Sequence, residues 1–578
     1  MIIHYKIGAI KPHTHFVDIE MYVKEINADA LEICIPVWRP GRYEKGMFAK
    51  NVKSLSIKNS HGAPITYKKT DHSSWYIDTS NTESITITYK YFAFQPDAGA
   101  CYSGTDILYV NPIHCCMYIN GFLHLPVTLS LAINPDWKVV TSLNQQGKNY
   151  CADNYDELVD SPVLCAPQIA TWKYECNNIA FYIHSWGTHT LNESQVIKDF
   201  KLFTQLQLDV MQHFPVSAYH FILLALPHTF YHGVEHTKST VLALGPAQNI
   251  HLPELYNELV GVASHELFHV WNIKTLRPAQ MLPYKYDQEN FADTGYVYEG
   301  FTTYYGDLFL LRCGYFNLEQ YFREVSDRLN KHMLNPGRIN YSVRESSYDT
   351  WLDGYVAGVP GRKTSIYDEG SLIALLIDLL IIKNTKATKS LDDVMRILYN
   401  DFALKGVGYK HQDILHVCRS LGGEDINYLF KEIIDKPVSY YEYLLKVLTD
   451  FEITIVEYPA SNMIEACYGA KLVAHPVGYK VVQVIEDSPA DKAGLAAEDI
   501  ISSITNKATA VVHPFEKISD RAQAETLVMQ VANLMQGPVT KELIPDSNFY
   551  FSRYELKAGS NMNDNKLTNF LFSTRSAS

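Results

Sequence analysis

Residues 254–275 are the part of this sequence that most constrains the fold. Drawn as a helix, the segment is apolar on nearly every side, and such a helix must be buried. One face is nevertheless polar and carries His265, His269 and Asn272. Each buried polar group without a partner costs about 1–3 kcal/mol. The fold must therefore supply partners for these side chains.

A bound metal ion would be one such partner. Residues i and i+4 of a helix lie one turn apart on the same face, so the imidazoles of His265 and His269 can bind one ion. Glu266 directly follows the first histidine and is placed to take a proton from an activated water molecule. The HExxH pattern alone is weak evidence. Core histidines bonded to backbone carbonyls are the alternative interpretation.

Catalytic zinc sites use three protein ligands and water, so a third ligand is required. Glu299 is the best candidate, because it lies on a second apolar helix, predicted over 297–313. The same face of that helix carries residues small enough for two helices to approach closely: Thr302, Thr303 and Gly306. Asp293 and Asp307 are nearby alternatives, although neither lies on such a face.

The composition limits the classes of protein that remain. A chain of 578 residues is too long for one core, and its net charge of -13 argues against nucleic acid as a partner. The start of the chain lacks the pattern of a secretion signal. The longest apolar run, 372–382, contains Asp378 and predicts a buried helix rather than a membrane span. Ten cysteines without such a signal favour free thiols and a cytoplasmic protein.

The hydrophobic pattern changes twice along the chain and predicts a multidomain α+β protein. We expect an N-terminal β domain over 1–180, a mainly helical catalytic domain over 181–450, a module of short strands over 451–550 and a tail over 551–578. The polar stretch 557–566 is expected to be poorly ordered. Predicted strands cover 15–23, 54–59, 84–91, 127–133 and 220–226. The segment 478–504 is predicted to form a strand, a turn, a short helix and another strand. Beside the two helices above, predicted helices cover 192–214, 370–383 and 390–404.

Several segments, taken in order, resemble one family. They are PVWRPGRYEKGMFAKNV (36–52), YHGVEHTKSTVL (231–242), HELFHVWN with the LRP that follows, YEGFTTYY and SIYDEGSLIALLIDL (365–379). They resemble the glycyl aminopeptidases, a family of PDZ-bearing zinc metallopeptidases of the gluzincin class, and the resemblance extends over nearly the whole chain. It implies a β-sandwich-like N-terminal domain, a thermolysin-like catalytic domain and a C-terminal PDZ-like domain.

The resemblance also implies roles for individual residues. His265, His269 and Glu299 match the ligands of one zinc ion per chain, and Glu266 matches the general base. Gly233 and Glu235 match the substrate-binding motif. The glutamate of that motif binds the free α-amino group of a peptide by a charge-assisted hydrogen bond. Tyr367 matches the tyrosine that stabilises the oxyanion.

One position departs from the family pattern. The family usually has lysine two residues after the tyrosine, and this chain has Glu369. The substitution reverses a charge near the expected site, so substrate preference or the geometry of the oxyanion site is expected to differ. The ligands and the base are intact, so the substitution does not predict an inactive enzyme.

The C-terminal module resembles a PDZ domain, which binds peptides by adding a strand to a sheet edge. Gly494 is predicted to end its short helix in a left-handed conformation. A spacer packed on the catalytic domain is the alternative.

The sequence therefore predicts a zinc aminopeptidase acting on peptides with a free N-terminus, with small first residues, glycine and alanine, implied by the family. The rival functions are a zinc endopeptidase and a PDZ-based peptide-binding scaffold with a structural metal site.

Overall fold

The computed structural model describes residues 1–355, 358–506, 511 and 525–573. The chain divides into two compact units. The larger unit comprises Met1–Tyr321, Asn335–Phe451 and Asn563–Ser578, and the smaller comprises Phe322–Leu334 and Glu452–Met562. The protein is multidomain and α+β, with a β-rich N-terminal region, as the sequence predicts.

The N-terminal region contains three sheets. The strands of the largest, in spatial order β13-β14-β11-β1-β2-β7-β4, are β1 (Ile2–Gly8), β2 (Phe16–Lys24), β4 (Val52–Asn59), β7 (Ser84–Phe92), β11 (Val127–Ala132), β13 (Asn144–Gln146) and β14 (Asn149–Ala152). A second sheet contains β3 (Ala30–Cys34), β5 (Tyr67–Lys69), β6 (Ser74–Asp78) and β10 (Tyr118–Ile119). The third contains β8 (Tyr102–Gly104), β9 (Ile107–Val110), β12 (Lys138–Val140) and β15 (Val163–Ala166). Two short helices accompany them, α1 (Pro112–Cys115) and α2 (Tyr155–Val159).

These strands form because apolar residues alternate along them. In β2 every second side chain is buried, and the first two sheets contribute to one apolar core. The four strands predicted within this region are all present, within two residues at each end.

A five-stranded mixed sheet follows and leads into the helices. Its strands are β16 (Ala170–Cys176), β17 (Ile179–Trp186), β18 (Ala218–Ala225), β19 (Phe230–Glu235) and β20 (Ser239–Gly245), in the order β16-β17-β18-β20-β19. The pairs β17–β18 and β18–β20 are parallel, whereas β19 runs antiparallel to β20 at the edge of the sheet. The sheet thus ends in an edge strand whose last residue is Glu235.

Helices make up most of the rest of the larger unit. They are α3 (Glu193–Met211), α4 (Pro253–Phe268), α5 (Thr302–Arg312), α6 (Leu318–Leu334, which continues into the smaller unit), α7 (Val343–Tyr348), α8 (Thr350–Asp353), α9 (Asp368–Asn384), α10 (Leu391–Asp401), α11 (His411–Gly422), α12 (Glu424–Leu429), α13 (Tyr441–Thr449) and, near the C-terminus, α15 (Lys566–Phe572). Single π-helical turns cover Tyr296–Phe301 and Phe430–Ile434. The apolar run in α9 is buried, as predicted.

The predicted helix over 254–275 is too long. Helix α4 ends at Phe268, with His269 as its C-cap. The chain then turns, because the backbone N–H groups of Asn272 and Lys274 bond back to the carbonyls of Phe268 and His269. The prediction missed this end because the apolar spacing continues past it.

The smaller unit contains a five-stranded antiparallel sheet. Its strands are β22 (Ala470–His475), β23 (Gly478–Val484), β24 (Ile500–Asn506), β25 (Leu527–Ala532) and β26 (Val539–Leu543), and the short helix α14 (Pro489–Lys492) precedes β24. Gly494 has a φ of 74°, so the predicted left-handed end of this helix is confirmed.

The expectation of a poorly ordered stretch at 557–566 is wrong. Strand β27 (Arg553–Ala558) pairs with β21 (Ile453–Tyr458), and helix α15 begins at Lys566. The buried side chains Leu556 and Leu571 explain this order, because they give the polar segment two apolar anchors.

Among the helices that the structure describes, none is long and apolar enough to cross a lipid bilayer. No disulfide joins any of the ten cysteines, all of which lie in the described part of the chain.

Candidate metal centre

Helix α4 and the π-helical turn bring three ligating side chains together. The Nε2 atoms of His265 and His269 are 3.0 Å apart, and Oε2 of Glu299 lies 3.4 Å from the second and 4.0 Å from the first. Tetrahedral zinc with bonds of about 2.0–2.1 Å places its ligand atoms roughly 3.3 Å apart. The three atoms therefore surround a space of the size that zinc requires.

The orientation of His269 suits a metal ligand. Its Nδ1–H donates to the backbone carbonyl of Asn272 at 2.8 Å, which leaves the lone pair of Nε2 directed at the other two ligands. The Asn272 amide in turn donates to Thr302 Oγ1 at 3.0 Å and to the carbonyl of Val297 at 2.9 Å. The turn after α4 thus fixes the orientation of the His269 imidazole.

Small residues allow the two ligand-bearing helices to meet closely. A Cβ on Gly306 would lie 3.3 Å from Cα of His265, and Ser264 Oγ donates to the carbonyl of Gly306 at 2.9 Å. Glu299 itself stands on a π-helical turn, an irregularity that is frequent at functional sites. Asp293, an alternative ligand in the sequence, instead pairs with Arg344 at 2.7 Å.

Glu266 is buried beside these three candidate ligands, and its Oε2 has no hydrogen-bond partner. Burial raises its pKa to about 8; His269 opposes this shift, and Glu235 and Glu299 add to it. A Cβ on Gly233 would lie 2.8 Å from the carboxyl carbon of Glu266, so strand β19 presses directly against this side chain. The glycine makes room for the carboxylate.

Glu235 lies at the end of β19 and completes the cluster. It is buried, and its Oε1 also lacks a hydrogen-bond partner. Ligating atoms of Glu235, Glu266 and His269 all lie within 4.8 Å of one another. Two buried carboxylates with unpaired oxygens therefore face the same small space, and each such group is costly without a positive partner.

Tyr367 is the residue directly before α9, and its hydroxyl interacts electrostatically with Glu299. Burial, and then Glu299, raise the pKa of its hydroxyl well above the usual value, so the group stays protonated and can donate a hydrogen bond. Glu369 is also buried, and it interacts with Tyr440, whose pKa is raised by burial and then by this carboxylate. The unexpected charge thus has a partner.

Tyr43 and Gly41 also reach this cluster, although the sequence predicted no role for either residue. The Tyr43 hydroxyl donates to Oε1 of Glu299 at 2.7 Å, and a Cβ on Gly41 would lie 2.8 Å from Oε1 of Glu235. Both belong to the RPGRY part of the segment quoted for the family resemblance. Only that resemblance drew attention to them, because 40 tyrosines in the chain make any single one inconspicuous.

A second group missed by the sequence analysis is centred on Asp160. Its carboxylate accepts hydrogen bonds from His236 Nδ1 at 3.0 Å, from Lys274 Nζ at 2.8 Å, and from the backbone and side chain of Thr237. His236 follows Glu235, and Lys274 follows the turn beside His269. One carboxylate therefore anchors the segments that carry two residues of the site.

Two stretches of the chain match family models of known proteins. The family model described as the Peptidase M61 N-terminal domain matches residues 4–167, and the model described as M61 glycyl aminopeptidase matches residues 258–373. The crystal structure of an aminopeptidase N family protein from Idiomarina loihiensis superposes with a TM-score of 0.88 at 24% identity, over 99% of this chain and 100% of that one. An M1 zinc metallopeptidase from Deinococcus radiodurans gives a TM-score of 0.47 at 10% identity, over 76% of this chain and 93% of that one. The search of curated proteins finds no match.

Proposed function

We propose that the chain is a zinc-dependent aminopeptidase and that His265, His269 and Glu299 hold one zinc ion per chain. The matches of residues 4–167 and 258–373 to the two M61 peptidase models support this assignment. The spacing of the three ligand atoms and the orientation of His269 support this assignment. Zinc held by three protein ligands activates water and polarises a carbonyl group. The side chain of His265 is 20% exposed, which leaves the site open to water and substrate on that side.

The observation that carries the proposal is the charge of the site. Glu235, Glu266 and Glu299 bring up to three negative charges into one buried cluster. A zinc ion and the ammonium group of a peptide N-terminus together bring three positive charges. No other pairing among the described residues relieves the unpaired oxygens of Glu235 and Glu266. A divalent cation and a substrate amine would supply positive partners for these two oxygens.

In this proposal each remaining residue has one task. Glu266 accepts the proton of the attacking water, and its raised pKa of about 8 is lowered by a bound cation toward the working range of a general base. Glu235 binds the substrate ammonium. The protonated hydroxyl of Tyr367 donates to the oxyanion that forms on the scissile carbonyl. Gly233 supplies the space in which Glu266 and the first substrate residue meet.

The substrates would be peptides with a free N-terminus, and glycine or alanine as first residue is the preference that the family implies. Strand β19 lies at the edge of its sheet and ends at Glu235. A peptide lying along this edge would reach the metal centre with its amino group at Glu235. This edge strand and the helices α4 and α5 are also what favours a thermolysin-like catalytic domain.

The proposal includes the remaining modules. The strand–helix–strand arrangement of β23, α14 and β24 supports a PDZ-like domain over 451–550, for which a peptide ligand is a candidate partner. The absence of disulfides among the ten cysteines, all within the described residues, supports a cytoplasmic location.

The test begins with the metal. Purified wild type should contain one zinc per chain, and His265→Ala or Glu299→Gln should lose most of it. Glu266→Gln should keep zinc and its fold but lose about 100-fold or more in kcat, because the proton acceptor is gone. Metal analysis together with single-turnover kinetics measures both effects. Full zinc occupancy in His265→Ala would refute the ligand assignment.

A second experiment tests whether the enzyme recognises the free amino group of the substrate. Truncating one partner of a buried charged pair costs about 2–5 kcal/mol, so Glu235→Ala should lower kcat/KM on free-amine peptides by roughly 30- to 4000-fold. Wild type should cut N-acetylated peptides poorly. Equal cleavage of matched free and acetylated peptides, with cuts inside longer chains, would identify an endopeptidase instead.

A further inference from the structure

We propose that Tyr43 is a positioning residue of the metal centre, and that residues 39–43 of the N-terminal β region form one wall of the active site. This inference rests on the proposed zinc site and adds a contribution from a region that precedes the catalytic sheet by more than a hundred residues. No motif of the HExxH type includes these residues.

The hydroxyl of Tyr43 gives the two oxygens of the Glu299 carboxylate different roles. It donates to Oε1 at 2.7 Å, while Oε2 is the oxygen that faces His269 at 3.4 Å. One oxygen is thus fixed by the tyrosine, and the other is left for the metal. Hydrogen bonds of this kind hold a ligand in place and tune its affinity for the ion.

The tyrosine is itself held rigidly. Its side chain is 1% exposed, and its ring packs against the rings of Tyr298 and Trp351 with centroids 5.3 and 6.1 Å away. Because the ring cannot move, the hydroxyl selects one orientation of the Glu299 carboxylate before any ion binds. The free-energy cost of ordering the ligand is then met during folding.

Residues 39–43 also contact Glu235, through Gly41. This residue has a φ of 78°, which favours glycine, and a Cβ there would lie 2.8 Å from Oε1 and 2.9 Å from the carboxyl carbon of Glu235. A backbone bond from Arg42 N–H to the Arg39 carbonyl closes the turn that contains it. One turn therefore supports both a metal ligand and the proposed amine anchor.

Tyr43→Phe tests the hydrogen bond to Glu299, because it removes the hydroxyl and keeps the ring. We expect the dissociation constant for zinc, measured by competition with a chelator, to rise about 10- to 100-fold. Tyr89→Phe is the matched control, since Tyr89 is also buried in the N-terminal region but donates to the carbonyl of Cys115 at 2.6 Å. Its zinc affinity should equal that of wild type.

Gly41→Ala tests the contact between the turn and Glu235, and its effect is measured as a change in KM. A methyl group there must displace the Glu235 carboxylate, so KM for free-amine peptides should rise roughly tenfold or more while zinc affinity stays at the wild-type value. Unchanged zinc affinity in Tyr43→Phe, or an equal loss in Tyr89→Phe, would overturn the role of Tyr43. Unchanged KM in Gly41→Ala would overturn the role of the turn. Wild type that binds no zinc would instead refute the proposed function.

Discussion

At the scale of single residues, the centre depends on two glycines as much as on its charged groups. Gly233 lies against Glu266 and Gly41 lies against Glu235, so neither carboxylate could keep its position beside a larger residue. The sequence shows a glycine in each case but not the carboxylate that it faces. That pairing arises only when β19, α4 and the RPGRY turn come together.

A substitution at Gly233 should therefore act on the proposed base. In Gly233→Ala the new Cβ would lie 2.7 Å from Cγ2 of Val262 and 2.8 Å from the carboxyl carbon of Glu266. We expect kcat to fall about 100-fold, the lower end of what general-base catalysis contributes, with zinc content unchanged. Steady-state kinetics and metal analysis measure the two quantities. Normal kcat in this variant would mean that Glu266 works from another position.

At the scale of elements, the three proposed ligands meet because helices cross at small residues. The small face of the helix after Glu299 was predicted from the sequence, and Gly306 does lie against His265. A second crossing, between the π-helical turn and α9, places Gly300 against Gly370 and was not predicted. Helical periodicity identifies which face is small, but it does not identify the helix that will cover that face.

The close contact between Gly300 and Gly370 should tolerate no side chain at position 300. In Gly300→Ala the new Cβ would lie 2.5 Å from the backbone carbon of Gly370 and 2.9 Å from its oxygen, and backbone atoms cannot swing aside. We expect the free energy of unfolding to fall by about 1–3 kcal/mol, and zinc affinity to fall because the neighbouring Glu299 shifts.

Gly261→Ala is the control for this substitution, because nothing lies within 4 Å of a Cβ built on Gly261 in α4. Alanine in a helix interior is favoured over glycine by about 0.5–1 kcal/mol, so this variant should be slightly more stable than wild type. Thermal and urea denaturation compare the two. Equal stability of both variants would contradict the close crossing.

At the scale of the whole molecule, the sequence predicts local structure far better than long-range partners. Strand and helix positions follow from periodicity, and the proposed zinc ligands follow from spacing on two helices. The hydroxyl of Tyr43 and the carboxylate of Asp160 act across 256 and 114 residues of chain, where no periodic pattern relates the partners. The end of α4 at Phe268 was missed for a local reason, because the apolar spacing continues past it.

Asp160 connects segments that are distant along the chain. Its carboxylate ties the N-terminal region to His236, Thr237 and Lys274. Burial alone would raise the pKa of Asp160, but the charge of Lys274 and the bond from His236 outweigh it and hold the pKa well below its usual range. A lowered pKa in the folded state stabilises the protein above the unfolded value of about 3.9, and this stabilisation is lost as the pH falls toward the folded value.

Asp160→Asn should thus cost about 3–5 kcal/mol of stability at pH 7, because it leaves the buried Lys274 without its counter-charge. The difference from wild type should shrink as the pH falls below about 4, where the unfolded wild type takes up the proton that the asparagine cannot. Denaturation midpoints measured from pH 7 to pH 3 test both statements. Asp106→Asn, at an exposed carboxylate, should stay within about 0.5 kcal/mol of wild type throughout. A difference between Asp160→Asn and wild type that is the same at every pH would mean that the folded protein does not depend on the charge of Asp160.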